Sequence, residues 1–286
     1  MSRDSTHMGL DSGRASLRIA DHLHSDDVLA LLRNPDGLFA DPECEIVKDQ
    51  RKIKIGRVPL TLRGENRKVY LKRYNAFSWR YRLVSLFATS GAFRSWQGAD
   101  ILMKAGLHTA SPTAAVEFRS WGMLVKSFYL SEEIPEAKPI DDYWLSDLLP
   151  AKGAEGVRQR KQFIKELAGL FRSLHAAAIY HNDLKDANIL LRGDGHQGFG
   201  SFYLLDLEGI RKYRQLSRHH RLKNLVQLTR TMGTHVRPAE KLYFLKFYLG
   251  EAYLDRNTRR RWIQGILKRS ARGDRRSLRK KMAQSG

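Results

Sequence analysis

The 286-residue chain is poor in cysteine, in acid and in long apolar runs. Its single cysteine, Cys44, excludes an intramolecular disulfide and any cysteine-built zinc centre, and the count fits a reducing compartment. The longest stretch without a charged residue, Ala105–Val116, falls well short of the ~18 residues that a bilayer span requires. Met1–Ala20 carries scattered charge and no apolar core of the signal-peptide kind. These absences predict a cytoplasmic protein that can touch a membrane without crossing it. Asp and Glu total 30 against 51 Lys and Arg, giving a formal net charge of +21. Such a surplus attracts polyanions, whether nucleic acid, anionic lipid headgroups or phosphorylated substrates, and says nothing about the fold. Apolar residues at 42% and charged residues at 28% suffice for a sizeable core, so disorder throughout and collagen-like architectures are excluded.

Along the chain, residues 1–24 are polar and aperiodic and read as a loose leader. Ser25 caps a short helix that begins with Asp26 and Asp27 and stops at Pro35-Asp36-Gly37. From Glu45 the pattern becomes strand-like, with Gly64-Glu65-Asn66 as a hairpin turn between Val58–Arg63 and Lys68–Tyr74. In the second of these strands Val69 and Leu71 share one face, and Tyr70, Lys72 and Tyr74 the other. A helix over 91–105, closed by Gly106, precedes strands at Thr113–Phe118 and Leu124–Leu130. The polar segment Ser131–Pro139 reads as a linker. Beyond it, Phe163, Leu167, Leu170, Phe171, Leu174 and Ala178 mark one face of a long helix over 156–178. The predicted organisation is a leader with a short helix over 1–44 and a β-rich lobe with one helix over 45–134. A mainly helical lobe follows over 135–255, then a basic tail over 256–286.

Between the long helix and a short apolar strand lies Tyr180-His181-Asn182-Asp183-Leu184-Lys185-Asp186-Ala187-Asn188, and Asp206 closes the next apolar run. Transfer of a phosphoryl group from ATP calls for such a set. Asp183 would orient or deprotonate the attacking hydroxyl, and Lys185 would offset charge on the transferred group. Asn188 and Asp206 offer hard oxygen donors for the Mg2+ that accompanies ATP. Lys72, mid-strand and far upstream, would grip the non-transferred phosphates, with Lys68 and Arg73 as rivals. His181 would brace the loop backbone. An Asp and an Asn five apart carry little weight alone; the helix, H-x-D-x-K-x-x-N, strand, strand-ending Asp and upstream strand Lys in this order carry far more.

With these residues the chain resembles the protein-kinase-like superfamily. More narrowly it is similar to the bacterial lipopolysaccharide core kinases, which phosphorylate Kdo or heptose. The likeness rests on Val69–Tyr74, Arg94-Ser95-Trp96, Ala105-Gly106-Leu107, Thr109–Pro112, His181–Leu191 and Tyr203–Gly209, and spans roughly residues 45–235. It implies an α+β, two-lobed protein-kinase-like fold, with a small antiparallel β-sheet N-lobe and a mainly helical C-lobe. It also implies ATP and Mg2+ as cofactors and a lipopolysaccharide inner-core sugar as acceptor. Several features depart from the pattern. No G-x-G-x-x-G is present; only Gly56 lies near Lys54 and Arg57, so phosphate covering would fall to basic side chains. Gly91–Ala105 holds no Glu for Lys72, leaving Gln97 and Asp100, of which Asp100 is the nominee. Asp206-Leu207-Glu208 replaces D-F-G, with Glu208 either a metal or substrate contact or a surface carboxylate. No A-P-E follows, and a helical pattern resumes by Lys223, which disfavours a protein substrate and favours a small hydroxyl-bearing one.

The tail segment Arg256–Lys281 holds twelve basic residues and one acid, Asp274, with Trp262, Ile263, Ile266 and Leu267 interleaved. It reads either as a solvated helix or as a dock for an anionic membrane, with Trp262 and Ile263 inserting at the interface. Nucleic acid would respond to the same field. Two further readings of the chain stand beside the sugar kinase. One is a kinase acting on another small molecule or a protein. The other is a non-catalytic kinase-fold module that binds membrane or RNA.

Overall fold

The computed structural model describes residues 6–10, 13–23, 25–62, 64–76, 78–193 and 199–282. Contacts divide the chain into two compact units. One comprises residues 1–135 with 206–210, the other 136–205 with 211–286. The division after Pro135 falls inside the polar Ser131–Pro139 segment.

The first unit contains β1 (Thr6–Leu10), β2 (Gly13–Ile19), α1 (Asp26–Arg33), β3 (Glu45–Asp49), β4 (Ile53–Leu62) and β5 (Glu65–Asn75). There follow α2 (Trp79–Val84), α3 (Gly91–Lys104), the two-residue β6 (His108–Thr109), β7 (Pro112–Ser120) and β8 (Met123–Glu132). Seven strands form an antiparallel sheet in the order β1-β2-β7-β8-β5-β4-β3. Leu62 pairs with Glu65 and Gly64 has φ 79°, so the β4–β5 turn closes one residue earlier than the sequence suggested. Ser25 does cap α1, accepting from the Val28 N–H, and Ser90 caps α3 by accepting from Phe93.

The expected loose leader instead supplies two strands: residues 13–19 form β2, which pairs with β7 in the register Leu17↔Val116. Ala15, Leu17 and Ile19 alternate into the core. Arg14 and Arg18 break up the apolar pattern, and the partner strand lies almost a hundred residues downstream, so local periodicity gives little sign of it.

The second unit opens with β9 (Lys138–Pro139) and α4 (Ile140–Tyr143), continued by a π turn over Trp144–Leu148. Next come α5 (Gly153–Ala176), β10 (Ile179–His181), β11 (Ile189–Arg192), β12 (Ser201–Leu204) and β13 (Ile210–Lys212), the last beginning at Ile210 of the other unit. Three helices close the chain: α6 (Arg218–Thr231), α7 (Pro238–Leu249) and α8 (Arg256–Met282). Helix α5 buries Phe163, Leu167, Phe171 and Leu174 as its spacing requires, and ends where Ala178 takes a left-handed φ of 56°. Phe163 anchors an aromatic cluster, with ring centroids of Trp144, Phe199 and Phe202 at 5.7–5.8 Å.

Residues 256–282 of the basic tail form one helix, α8, packed on α6. Trp262 is buried, its ring 5.7 Å from Tyr248 and 5.2 Å beneath the Arg218 guanidinium. This corrects the expectation that Trp262 inserts into a membrane: a ring this size is worth more in the core than at the surface. Ile263 and Ile266 face a cavity of about 630 Å3 among α5, α6, α7 and α8, lined also by Leu167, Leu228, Phe244 and Leu245.

His175 links these helices. Its Nδ1 lies 2.8 Å from the Tyr248 hydroxyl and its Nε2 3.2 Å from Asn224 Oδ1. Burial pushes its pKa down to about 4, against the hydrogen bond that Nε2 donates to Asn224 Oδ1. The unfolded chain binds this proton below about pH 6.5 and the folded chain does not, so stability is lost as pH falls through that window. At about pH 4.5 the loss from this residue should be roughly 2–3 kcal/mol relative to neutral pH. Urea unfolding of the wild type and of His175→Gln at both pH values checks this, since the variant should lack that share of the acid sensitivity.

Candidate active site

In the first unit, strand alternation turns Lys72 away from the buried Val69 and Leu71. Its Nζ lies 2.6 Å from Asp206 Oδ1 and 5.0 Å from the Tyr74 ring centroid. Two residues 134 positions apart are thus paired. Burial works against the Lys72 ammonium, but Tyr74, Asp206 and Glu208 outweigh it and raise its pKa, so Lys72 is held cationic.

Helix α3 makes this arrangement possible through what it omits. A Cβ on Gly91 would sit 2.6 Å from the Tyr74 ring, and one on Gly98 would sit 2.3 Å from the Leu207 carbonyl oxygen. The helix therefore lies tight against β5 and against residues 207–209. Tyr74 shares a 2.8 Å hydrogen bond with Ser95 Oγ, and burial pushes its phenol up to about 12. Asp206 itself is left-handed, with φ 56° and ψ 57°.

Asp100 does not serve Lys72. It pairs with Lys104 one turn along, at 2.5 Å. Gln97 is exposed. The second carboxylate near Lys72 is Glu208, which also lies 3.8 Å from Arg94 and hydrogen-bonds Tyr74. Burial pushes the Glu208 carboxyl up and Asp206 adds to this, against the pull of Lys72 and Arg94. The partner that α3 lacks is therefore supplied from two residues beyond Asp206. Of the rivals to Lys72, Arg73 is taken by Asp36 at 2.8 Å.

The basic residues expected to cover phosphate are also engaged elsewhere. Arg57 holds Glu133 with two bonds of 2.9 and 3.0 Å and Glu45 at 3.3 Å, and Lys54 holds Asp49 at 3.0 Å. Gly56 answers to packing, because a Cβ there would meet Cys44 Sγ at 2.8 Å.

In the second unit the segment after β10 turns on His181, which is fully buried. Its Nδ1 accepts from the Asp183 N–H at 3.1 Å, so the proton resides on Nε2, which donates to the Leu205 carbonyl at 2.7 Å. Asn188 Nδ2 donates both to the Asp183 carbonyl, at 2.8 Å, and to Asp183 Oδ2, at 3.2 Å. Both partners are acceptors, which fixes the amide orientation and leaves Oδ1 as the atom to meet a cation. Lys185 Nζ lies 3.0 Å from Asp183 Oδ2. Asp183, Lys185 and Asn188 are thus assembled here, and Lys72 with Asp206 in the first unit. Asn188 Oδ1 in this unit and the Asp206 carboxylate in the first are each hard oxygens, the donor type that Mg2+ takes.

What holds the loop has no signature in the loop's own residues. Lys223, Asn224, Gln227 and Thr231 of α6 form a polar stripe at helical spacing. Asn224 donates to the His181 carbonyl at 2.5 Å, Gln227 to the Asn182 carbonyl at 2.5 Å, and Lys223 to Asn182 Oδ1 at 3.1 Å. In return Gln227 Oε1 accepts from the Leu184 N–H at 3.3 Å, and Thr231 Oγ1 accepts from the Asp186 N–H at 3.5 Å. The stripe was visible at i, i+1, i+4 and i+8, but nothing local names its partner.

The lipopolysaccharide kinase (Kdo/WaaP) family model matches residues 44–248. Among solved structures, one described as WaaP in complex with acyl carrier protein superposes with a TM-score of 0.62 at 18% identity. The match covers 90% of this chain and 98% of that one, a likeness of fold. None of the curated proteins matches.

Removing Asn224, which is buried between His175, His181 and Gln227, leaves several polar atoms without partners. Asn224→Ala should cost about 2 kcal/mol in urea unfolding, whereas exposed Gln97→Ala should cost almost nothing.

Proposed function

The chain belongs to the lipopolysaccharide kinase (Kdo/WaaP) family, and on that premise we propose that it transfers the γ-phosphoryl group of ATP to a hydroxyl of an inner-core sugar, Kdo or heptose, at the cytoplasmic face of the membrane. The observation that carries this reading is the pairing of Lys72 with Asp206 together with the Asp183–Lys185–Asn188 grouping. Each is a part that phosphoryl transfer needs.

Asp183 accepts the proton of the acceptor hydroxyl. The hydroxyl oxygen forms the new bond to the γ-phosphorus while the bond to the β-bridging oxygen breaks, and ADP departs with that electron pair. Lys185 sits beside Asp183 and offsets charge on the transferred oxygens. Lys72, held cationic, grips the non-transferred phosphates. Asn188 and Asp206 would hold the Mg2+ that neutralises charge on the phosphates. Glu208 keeps Lys72 in place where no carboxylate of α3 does. Only eleven residues, 207–217, separate Asp206 from α6, which leaves little chain for a peptide-docking shelf and favours a compact acceptor.

A second partner is favoured by the cavity. The similar solved structure is a complex with acyl carrier protein, and this chain has an apolar cavity of about 630 Å3 within one unit. A volume of that order accommodates a long acyl chain. We infer that an acyl carrier protein docks here and places its acyl chain among α5, α6, α7 and α8.

Incubation with ATP, Mg2+ and lipopolysaccharide, followed by mass spectrometry, should show phosphate added to a core sugar. Asp183→Ala and Asp206→Ala should each lower turnover by about a hundredfold or more, and chelation of the cation should abolish it. Normal turnover in both variants would refute the assignment. For the second partner, acyl carrier protein bearing a long acyl chain should raise the thermal midpoint, and the unacylated carrier should not. Ile266→Trp, which fills the cavity, should remove the effect.

A further inference from the structure

Large apolar side chains are exposed together on the first unit. Trp79, Leu83, Val84, Leu86 and Phe87 lie on and just after α2, and Trp121 caps the β7–β8 turn. Phe87 is 95% and Trp121 93% exposed. The two segments are stapled to each other. Arg119 Nη1 donates at 2.9 Å to the carbonyls of both Ser85 and Gly122, and Ser85 Oγ accepts from the Leu124 N–H at 2.8 Å. A Cβ on Gly122 would meet Leu86 at 3.3 Å. These knobs therefore form one surface.

Trp121 is a costly choice for its position. Ser120 pairs with Met123 across a two-residue turn, and both central residues have positive φ, 51° at Trp121 and 75° at Gly122. Hairpins fill that geometry with Asn-Gly, because a large side chain is strained in the left-handed region. A strained aromatic ring that packs on almost nothing has no folding role to explain it.

The surrounding charge has one sign. Neither Ala76–Ser90 nor Phe118–Ser131 contains an Asp or Glu, while Arg80 and Arg82 lie along the first segment. Arg80 is exposed and stacks on Trp79 at 5.5 Å. The nearest acid in sequence, Glu117, is neutralised by Arg119 at 3.3 Å. Aromatic knobs on two acid-free, arginine-bearing segments have the chemistry of a contact with an anionic bilayer, the rings entering the headgroup boundary and the guanidinium groups meeting lipid phosphate. We propose that this surface of the first unit, and not the basic helix α8, docks the protein on anionic membrane, with Trp121 and Phe87 as the inserting residues.

Flotation with vesicles of phosphatidylethanolamine and phosphatidylglycerol tests this without ATP, so the outcome is separate from that of the kinase reading. The wild type should bind, and binding should weaken with salt or when phosphatidylcholine replaces the anionic lipid. Trp121→Asn and Phe87→Ser should each weaken it by about tenfold. Trp121→Asn should also unfold at no lower a temperature than the wild type, since Asn suits the turn. Leu254→Ser, at an exposed leucine of the other unit, should leave binding unchanged. Three outcomes would overturn the proposal: no vesicle binding by the wild type, binding that survives both aromatic substitutions but is lost on replacing Arg260, Lys268 and Arg272 of α8 by glutamine, or sedimentation as a dimer that the aromatic substitutions split.

Discussion

The ion pair between Lys72 and Asp206 is the constraint around which the first unit is arranged. A partly buried ammonium persists only where carboxylates compensate for its lost hydration. Here they come from the one segment between two stretches of the other unit, residues 206–210. The demand propagates outward. The segment must approach α3 closely, so α3 carries glycine at 98, against Leu207, as it carries Gly91 against the Tyr74 ring. The same crowding leaves no place on that face for a glutamate, and Glu208 takes over the charge. A missing motif residue and an unusual glycine-bearing helix are thus two sides of one packing decision.

The second unit secures its polar loop by a different device. Neither ring nitrogen of His181 is free to move a proton, since one accepts from the Asp183 N–H and the other donates to the Leu205 carbonyl. The imidazole is a strut between the loop that ends in Asn188 and the peptide that precedes Asp206. Behind it, the α6 stripe meets the loop's main chain at His181, Asn182, Leu184 and Asp186. Main-chain contacts of this sort fix position without consuming the side chains that do the chemistry.

Much of this was legible from the residues. Strand alternation placed Lys72, and the order H-x-D-x-K-x-x-N, strand, Asp located the remaining polar groups. Helix α5 declared itself through the spacing of its apolar residues, and α3 through its closing Gly106. What escaped was long-range in sequence or depended on exclusion. The register of β2 against β7 has no local signature, because Arg14 and Arg18 interrupt a short alternation. Asp100 looked suitable by type and distance along the helix, yet Lys104 lay nearer. Trp262 looked like a surface wedge amid arginines, and only the Tyr248 ring reveals it as core. Composition reports how much basic charge there is; geometry decides which part of it stands next to exposed rings.

The left-handed backbone at position 206 adds a requirement that has nothing to do with charge. Among the acids, aspartate visits that conformation readily and glutamate does not. Asparagine would suit the main chain but offers Lys72 no anion. Glutamate would keep the anion but resist the torsion and overshoot by a methylene. Two unrelated criteria, one torsional and one electrostatic, thus intersect on a single side chain, so neither of the usual conservative replacements is conservative at this place.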